Sequence, residues 1–416
     1  MNTPPTGTFN GLGIAPRLLE ILERLQFTTP TPIQHSSIPV ALEGKDVIGI
    51  AQTGTGKTLA FGLPMIQRLA QVKGRGLVIL PTRELALQVE ETFQKVGKTI
   101  GLRTAVLIGG ASMGLQQRML TRNPHIVIGT PGRLIDHLQQ KTLKLSDVSI
   151  LVLDEADRML DMGFAPQINQ ILASIPKERQ TMLFSATMPD DIVRIAQRSM
   201  KWPVRVEIAP TGSTAKNVEQ ELYVIARDQK NRLLDTILTQ YHGAVLVFSR
   251  TKFGAKRICR AVRAMAHTAA ELHSDRSLAQ RREALEGFKS GKYRVLVATD
   301  IAARGIDVTG IELVINYDIP EHPEDYVHRI GRTGRAGLSG RAISFATPDQ
   351  GGEVRDIEKF VRVALPISRL PELAPARPPL KSEPFEPQRR FGGGGRPQFN
   401  RGRPPRGNFR RPQQRY

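Results

Sequence analysis

Short apolar runs rich in β-branched residues alternate with stretches of helical periodicity along most of the chain. In the first half the runs fall at 46–50, 76–80, 104–108, 126–128, 150–153 and 181–184. Each is too short for a buried helix and is bounded by turn formers, so each predicts a strand. Strands separated by helical segments predict parallel pairing through crossovers, and hence a sheet covered on both faces. Residues 209–214, Ala-Pro-Thr-Gly-Ser-Thr, hold turn formers and no apolar periodicity. The alternation then resumes, with its clearest strands at 244–248, 294–298, 313–316 and 342–345. The expected architecture is α/β: two tandem parallel-sheet domains over residues 1–208 and 218–370, joined by a linker at 209–217.

Composition changes the picture from Pro371 onward. Residues 371–416 carry eleven Lys+Arg against three acidic residues, +8 of the net +20 of the 416-residue chain. Proline, glycine and arginine dominate there, and too little apolar surface is available to offset chain entropy, so a disordered basic tail is expected. Phe385, Phe391, Phe399, Phe409 and Tyr416 interleave with its arginines, a pattern suited to stacking on RNA bases without sequence choice. The whole chain holds 59 Lys+Arg against 39 Asp+Glu. That excess predicts a polyanionic partner with salt-sensitive affinity, and charge alone does not separate nucleic acid from an anionic membrane surface. No apolar run approaches the roughly 18 residues of a spanning helix, so no membrane partner is expected. The first residues, Met1-Asn2-Thr3-Pro4-Pro5, have no basic stretch followed by an apolar one, and no signal peptide is expected. The single cysteine, Cys259, excludes an internal disulfide and a cysteine-rich zinc site. A cytoplasmic location fits these features.

Four segments carry the chemistry. Residues 51–58 read Ala-Gln-Thr-Gly-Thr-Gly-Lys-Thr. Gly54 and Gly56 let consecutive backbone N–H groups approach phosphate oxygens at the positive end of the next helix. Lys57 reaches the β- and γ-phosphates, and the Thr58 hydroxyl binds Mg²⁺. Residues 154–157, Asp-Glu-Ala-Asp, follow the strand-like run 150–153. Asp154 is the expected Mg²⁺ partner, through water. Glu155 is the candidate for orienting and deprotonating the attacking water. In His328-Arg329-Ile330-Gly331-Arg332-Thr333-Gly334-Arg335, Arg332 and Arg335 are candidate arginine fingers for charge that builds on a transferring phosphoryl group. Phe27 and Gln34 offer a stacking ring and an amide that can pair with an adenine edge; alone, these two read better as a proline-rich helix start with Gln34 exposed.

These residues together resemble the DEAD-box RNA helicases of superfamily 2, over roughly residues 9 to 347. Ala51 fits the helicase form of the phosphate loop. Further motifs stand in family order: Pro81-Thr82-Arg83-Glu84-Leu85, Gly109-Gly110, Thr130-Pro131-Gly132-Arg133, Ser185-Ala186-Thr187, Val247-Phe248-Ser249-Arg250-Thr251, Ala298-Thr299-Asp300 and Arg304-Gly305-Ile306-Asp307. The resemblance implies two RecA-like domains and an ATP-dependent RNA helicase that opens short duplexes locally. It implies that Phe9 packs beside the adenine readers, that Thr53 and Thr55 belong to the phosphate loop, and that Gly305 and Asp307 face the ribose. It implies coupling roles for Ser185, Thr187 and His328. It implies RNA-backbone contacts at Pro81, Thr82, Arg83, Gly110, Thr130 and Arg133 in the first domain, and at Arg250, Arg281 and Thr299 in the second. The RhlE-type bacterial branch is the most similar, by its compact core and short basic tail, and ribosome-assembly or RNA-decay proteins are the partners it suggests.

The chain departs from the family pattern at Gln26, where glycine is usual, at Ser274 in place of glycine, and at Leu278 in place of glutamine. The last two predict a weaker RNA grip by the second domain, restored by Ser274→Gly with Leu278→Gln. Rival readings are an ATP-controlled RNA clamp or annealing chaperone without strand displacement, a DNA-directed helicase, and a P-loop small-molecule kinase.

Overall fold

The computed structural model describes residues 7–52, 54–208, 218–303, 308, 310–334 and 339–373. The first sheet is formed by β1 (Val47–Ile50), β2 (Arg75–Ile79), β3 (Thr104–Leu107), β4 (Ile126–Gly129), β5 (Val148–Asp154), β6 (Gln180–Ser185) and β7 (Val204–Glu207). Its order is β3-β4-β2-β5-β6-β1-β7, and the pairings are parallel. The second comprises β8 (Val218–Val224), β9 (Ala244–Phe248), β10 (Ala269–Leu272), β11 (Val295–Ala298), β12 (Ile311–Asn316) and β13 (Gly340–Ala346). Its order is β10-β11-β9-β12-β13-β8, again parallel. The chain is therefore two α/β parallel-sheet domains, as the alternation of strands and helices requires.

The apolar runs are continuous because both faces of each sheet are covered. Alternate residues divide between two cores: Val152, Met182 and Phe184 enter one, with Phe61 and Phe93, while Leu151, Leu153 and Leu183 enter the other. Phe61 anchors the first, with ring centroids 5.5 Å from Phe184 and 6.3 Å from Phe93. In the second sheet Leu246 and Phe248 face one core, and Val245 and Val247 the other.

The topology sorts the chemistry. The strands β5, β6 and β1 are neighbours, and their register sets Ile50 beside Ser185 and Asp154 beside Phe184. The loops that follow these three strands therefore emerge together, at the carboxyl edge where open α/β sheets bind ligands. The strands β2, β4 and β3 deliver their loops to the other half of that edge.

Ordered contacts run slightly past residue 370: Thr236 Oγ1 donates to the Glu372 carbonyl at 3.3 Å and Arg232 to that of Leu373 at 3.4 Å. The expected linker, and the tail from residue 374 on, lie outside the described residues.

Candidate functional site

The loop after β1 turns on two left-handed glycines, Gly54 at φ 85° and Gly56 at φ 88°. Gly56 caps the helix Lys57–Leu69. A Cβ at Gly56 would come within 2.4 Å of Gln34 Nε2, so both conformation and space demand glycine there. Gln34 is buried. Its Oε1 accepts from the Thr31 N–H at 2.9 Å and its Nε2 donates to the Gly56 carbonyl at 3.0 Å. One amide N–H and one oxygen lone pair remain, the pair of groups that an adenine N6/N7 edge would use. Thr55 Oγ1 closes the loop onto the Gln52 carbonyl at 2.7 Å. The buried Lys57 ammonium donates to the Ala51 carbonyl at 3.0 Å, and Thr58 is half-buried on the first helical turn. Phe27 is 41% exposed, whereas Phe9 sits within the first-domain core. Thr53 lies outside the described residues.

Asp154 ends β5, and Glu155 follows in the left-handed region at φ 53°. A non-glycine residue held there by its surroundings marks a constrained position. Burial, more than any neighbour, pushes the Asp154 carboxyl up to about 6, against the pull of Lys57. Its Oδ1 accepts from the Glu155 N–H at 2.9 Å. Burial would also raise Glu155, but Arg158 foremost, then Lys57 and Arg332, outweigh it and hold that carboxyl below its ordinary range. Arg158 forms a buried ion pair with Glu155. Asp157 Oδ2 accepts from the Ala186 N–H at 3.0 Å, the Thr187 N–H at 2.9 Å and Thr187 Oγ1 at 2.9 Å. The Asp157 N–H in turn donates to Ser185 Oγ at 3.1 Å. Lys57, His328 and the Thr187 bonds hold Asp157 low against the opposing effect of burial.

The second domain reaches this group from the segment that ends the helix Pro323–Ile330. Arg332 is buried, with Nε donating to the His328 carbonyl at 3.1 Å. Its charge acts on Glu155, and that of His328 acts on Asp157. Arg329, between them, is structural: it clamps Asp300 at 2.6 and 2.7 Å and donates to the Asp318 carbonyl at 2.6 Å. Arg335, Gly305 and Asp307 lie outside the described residues.

The remaining candidates occupy matching places in the two sheets. After β2, buried Pro81 leads to Thr82, which caps the helix Arg83–Gly97 by accepting from the Leu85 N–H at 3.3 Å. After β9, Arg250 leads to Thr251, which caps the helix Lys252–Ala264 through the Gly254 N–H at 3.0 Å. Thr130 follows β4 and Thr299 follows the corresponding β11. Arg83 lies against Gly109 and Gly110, where a Cβ on Gly110 would meet its Nη1 at 2.4 Å. Arg133 donates to the Ala111 carbonyl at 3.0 Å and pairs with Asp136 at 3.2 Å. Arg250 donates to the Ile319 carbonyl at 3.0 Å.

Arg281 is placed differently. It pairs across the domains with Glu84 at 2.9 Å, both side chains buried. Leu278, at the start of the same helix, packs against the first-domain apolar cluster. Sequence reading had not singled out Glu84, Asp157 or Arg158 as site residues. The first two stand inside quoted motifs, but their partners, Arg281 and residues 185–187, come from tertiary contact; Arg158 follows the acidic tetrad directly and pairs locally, three residues from Glu155.

Parallel sheets with a glycine phosphate loop, beside an acidic strand end, define the class of P-loop nucleotide hydrolases, here in a two-domain form. Residues 31–195 match the DEAD/DEAH box helicase family and residues 228–337 the helicase conserved C-terminal domain. The ATP-dependent rRNA helicase RRP3 of Debaryomyces hansenii is 45% identical over 360 residues, covering 86% of this chain and 74% of that protein. The DEAD-box ATP-dependent RNA helicase CshA of Bacillus cereus is 46% identical over 358 residues, covering 85% and 68%. The structure of S. cerevisiae Dbp5 bound to RNA and ADP BeF3 superposes with a TM-score of 0.78 at 30% identity, over 87% of this chain and 95% of that one. The chain belongs to the DEAD-box family of ATP-dependent RNA helicases, and it is accordingly an RNA-stimulated ATPase with two RecA-like domains. No described helix is long and apolar enough to cross a membrane.

Proposed function

We propose that ATP is held between the two domains and hydrolysed there, while RNA lies across the loops after β2, β4 and β3 and their counterparts after β9, β11 and β10. What supports this reading is the placing of the glycine phosphate loop and buried Lys57 at the same sheet edge as the strand end that carries Asp154 and Glu155, with the charges of second-domain Arg332 and His328 lowering the carboxyls of Glu155 and Asp157.

In this reading the loop 53–58 cradles the phosphates, with Lys57 on the β- and γ-groups. The free N–H and lone pair of Gln34 read adenine, Phe27 stacks on it, and Phe9 supports them from the core. Gly305 and Asp307 meet the ribose. The donor set suits Mg²⁺: a hydroxyl on Thr58 and a carboxylate on Asp154 whose raised pKa marks a buried charge without a full partner. When bound, the ion supplies neutralising charge at the phosphate oxygens. Glu155 accepts a hydrogen bond from the attacking water and takes its proton as the water oxygen bonds to the γ-phosphorus and the bond to the β-phosphate oxygen breaks. Arg332 and Arg335 stabilise the charge that develops. Asp157, through four hydrogen bonds to residues 185–187, links the site to Ser185 and Thr187, and His328 senses it from the second domain. Pro81, Thr82, Arg83, Gly110, Thr130, Arg133, Arg250 and Thr299 grip one strand by its backbone, while Arg281, paired with Glu84 of the first domain, holds the domains together around it.

The proposed limits are residues 1–208 and 218–370 for the two domains, with 209–217 as linker and 371–416 as an RNA arm. Within the family we assign the chain to the RhlE-type branch, on its compact core and short basic tail, in the bacterial cytoplasm. The name of the RRP3 relative supports ribosome assembly as one setting for partner proteins, with RNA decay the other.

Phosphate release should rise strongly with RNA and hardly with matched DNA. Glu155→Gln should cut it by about 10²-fold or more, the usual share of a general base. Equal stimulation by DNA, or full activity in that variant, would overturn the assignment.

A further inference from the structure

We propose that the exposed face of the helix Lys252–Ala264 is a second RNA site, outside the cleft, that holds single-stranded RNA as it leaves the second domain. The proposal rests on the RNA reading above and adds to it.

The helix has the sequence Lys-Phe-Gly-Ala-Lys-Arg-Ile-Cys-Arg-Ala-Val-Arg-Ala: five cations and no acidic residue. Ala255, Ile258, Cys259 and Val262 are buried against the sheet. Phe253, Lys256, Arg257 and Arg260 stand at i, i+3, i+4 and i+7, on one outward face, and all four are exposed. Among the described residues, Lys256, Arg257 and Arg260 have neither an ion pair nor a hydrogen bond.

Phe253 is 72% exposed, although burying it would stabilise the fold by about 2 kcal/mol. Lys252 Nζ stands 5.2 Å from its ring centroid, covering one face of the ring. The same ammonium pairs with Asp275 at 2.8 Å. An aromatic ring flanked by unpaired cations is the arrangement that holds single strands, by stacking on a base and charge on phosphates.

Continuity supplies the direction. Arg250, in the proposed RNA groove, lies two residues before the helix, and Asp275 is next to Ser274 in the loop after β10. Arg257 lines a cavity of about 610 Å³ together with Arg227, Lys230 and Arg250. Asp318, Asp349 and Glu353 share that cavity, and Asp318 is engaged by Lys230 and by the Arg250 N–H. An acidic protein would meet the same charges, but it has no use for an open ring face contiguous with the groove.

The test compares two RNAs, a short strand that fills only the cleft and a longer one with flanks, in the presence of a non-hydrolysable ATP analogue. The triple variant Lys256→Ala, Arg257→Ala, Arg260→Ala should bind the short strand as the parent does and the long strand at least about tenfold more weakly. Its log K against log salt slope should fall by about 2 for the long strand only, from roughly 0.7 per phosphate contact. Phe253→Ala should weaken long-strand binding about tenfold, and Phe253→Trp should restore it. Equal losses for both strands, or none for the long one, would overturn the proposal. So would poly-glutamate binding that the triple variant abolishes while long-strand affinity stays unchanged, which would mark an acidic-protein surface. A parent chain that binds neither RNA would overturn both this proposal and the function it rests on.

Discussion

Asp154 shows how a single residue trades stability for chemistry. Its carboxyl rises from 3.8 to about 6 on burial, so the folded chain holds that proton more tightly than the unfolded chain does. The resulting stabilisation is complete below the unfolded value and is lost as pH rises through the folded one. Above it, the ionised group counts against the fold by on the order of 3 kcal/mol. Asparagine is neutral at every pH and keeps the Oδ1 acceptor that the Glu155 N–H uses. In chelator, without nucleotide, Asp154→Asn should therefore melt several degrees above the parent at pH 8 and keep only about half of that advantage at pH 5, while hydrolysing no ATP. Melting differences that are the same at both pH values would show that burial does not set this carboxyl. The retained cost is what a site pays for holding a charge ready for phosphate-bound magnesium.

At the scale of elements, the central strands were legible because a strand covered on both faces needs an apolar run at its centre: β1, β4, β9 and β11 hold no polar side chain, and β2, β5, β6, β12 and β13 keep apolar runs beside polar positions. The strands that escaped are β7, β8 and β10. The first two lie at sheet edges with half-exposed polar residues. The third buries Glu271 and resolves it through Arg276, a contact no periodicity reveals. The phosphate loop was legible for a different reason: its backbone geometry tolerates glycine alone at Gly56. The contacts of Asp157 with residues 185–187 depend on which loops the sheet order brings together, and the Arg158–Glu155 pair on the turn that Glu155 makes at positive φ. Leu278 is the sharpest case. As a departure from a polar family position it suggested a weakened RNA grip, yet it packs on the first-domain apolar cluster. Leu278→Gln should therefore loosen the closed arrangement and weaken ATP-dependent RNA binding several-fold, at the cost of about 1–2 kcal/mol of apolar contact. Tighter binding in that variant would restore the reading drawn from the family pattern.

In the proposed function the molecule works only when its domains meet, and the Glu84–Arg281 pair tests what holds them. Burial draws the Arg281 guanidinium down, with Glu84 opposing. Two charges taken from water cost nearly what their attraction returns, so the intact pair adds little net stability to closure. Removing one partner is another matter: Glu84→Ala leaves a buried, uncompensated arginine in the closed state, whereas in the open state water solvates it. That asymmetry should cost about 3 kcal/mol or more, on the order of a hundredfold in RNA-stimulated kcat/KM. Replacing both by an apolar pair, Glu84→Leu with Arg281→Met, removes the charge and keeps the packing, so closure and activity should recover to within about tenfold of the parent. If Arg281 instead serves as a direct RNA contact, the double variant stays as impaired as Arg281→Met alone, because no apolar pair replaces a phosphate ligand. A double-mutant cycle on kcat/KM, with domain closure followed by fluorescence transfer between labels on the two domains, separates these outcomes. Recovery of both readouts assigns the pair to closure; recovery of closure without activity assigns Arg281 to the RNA.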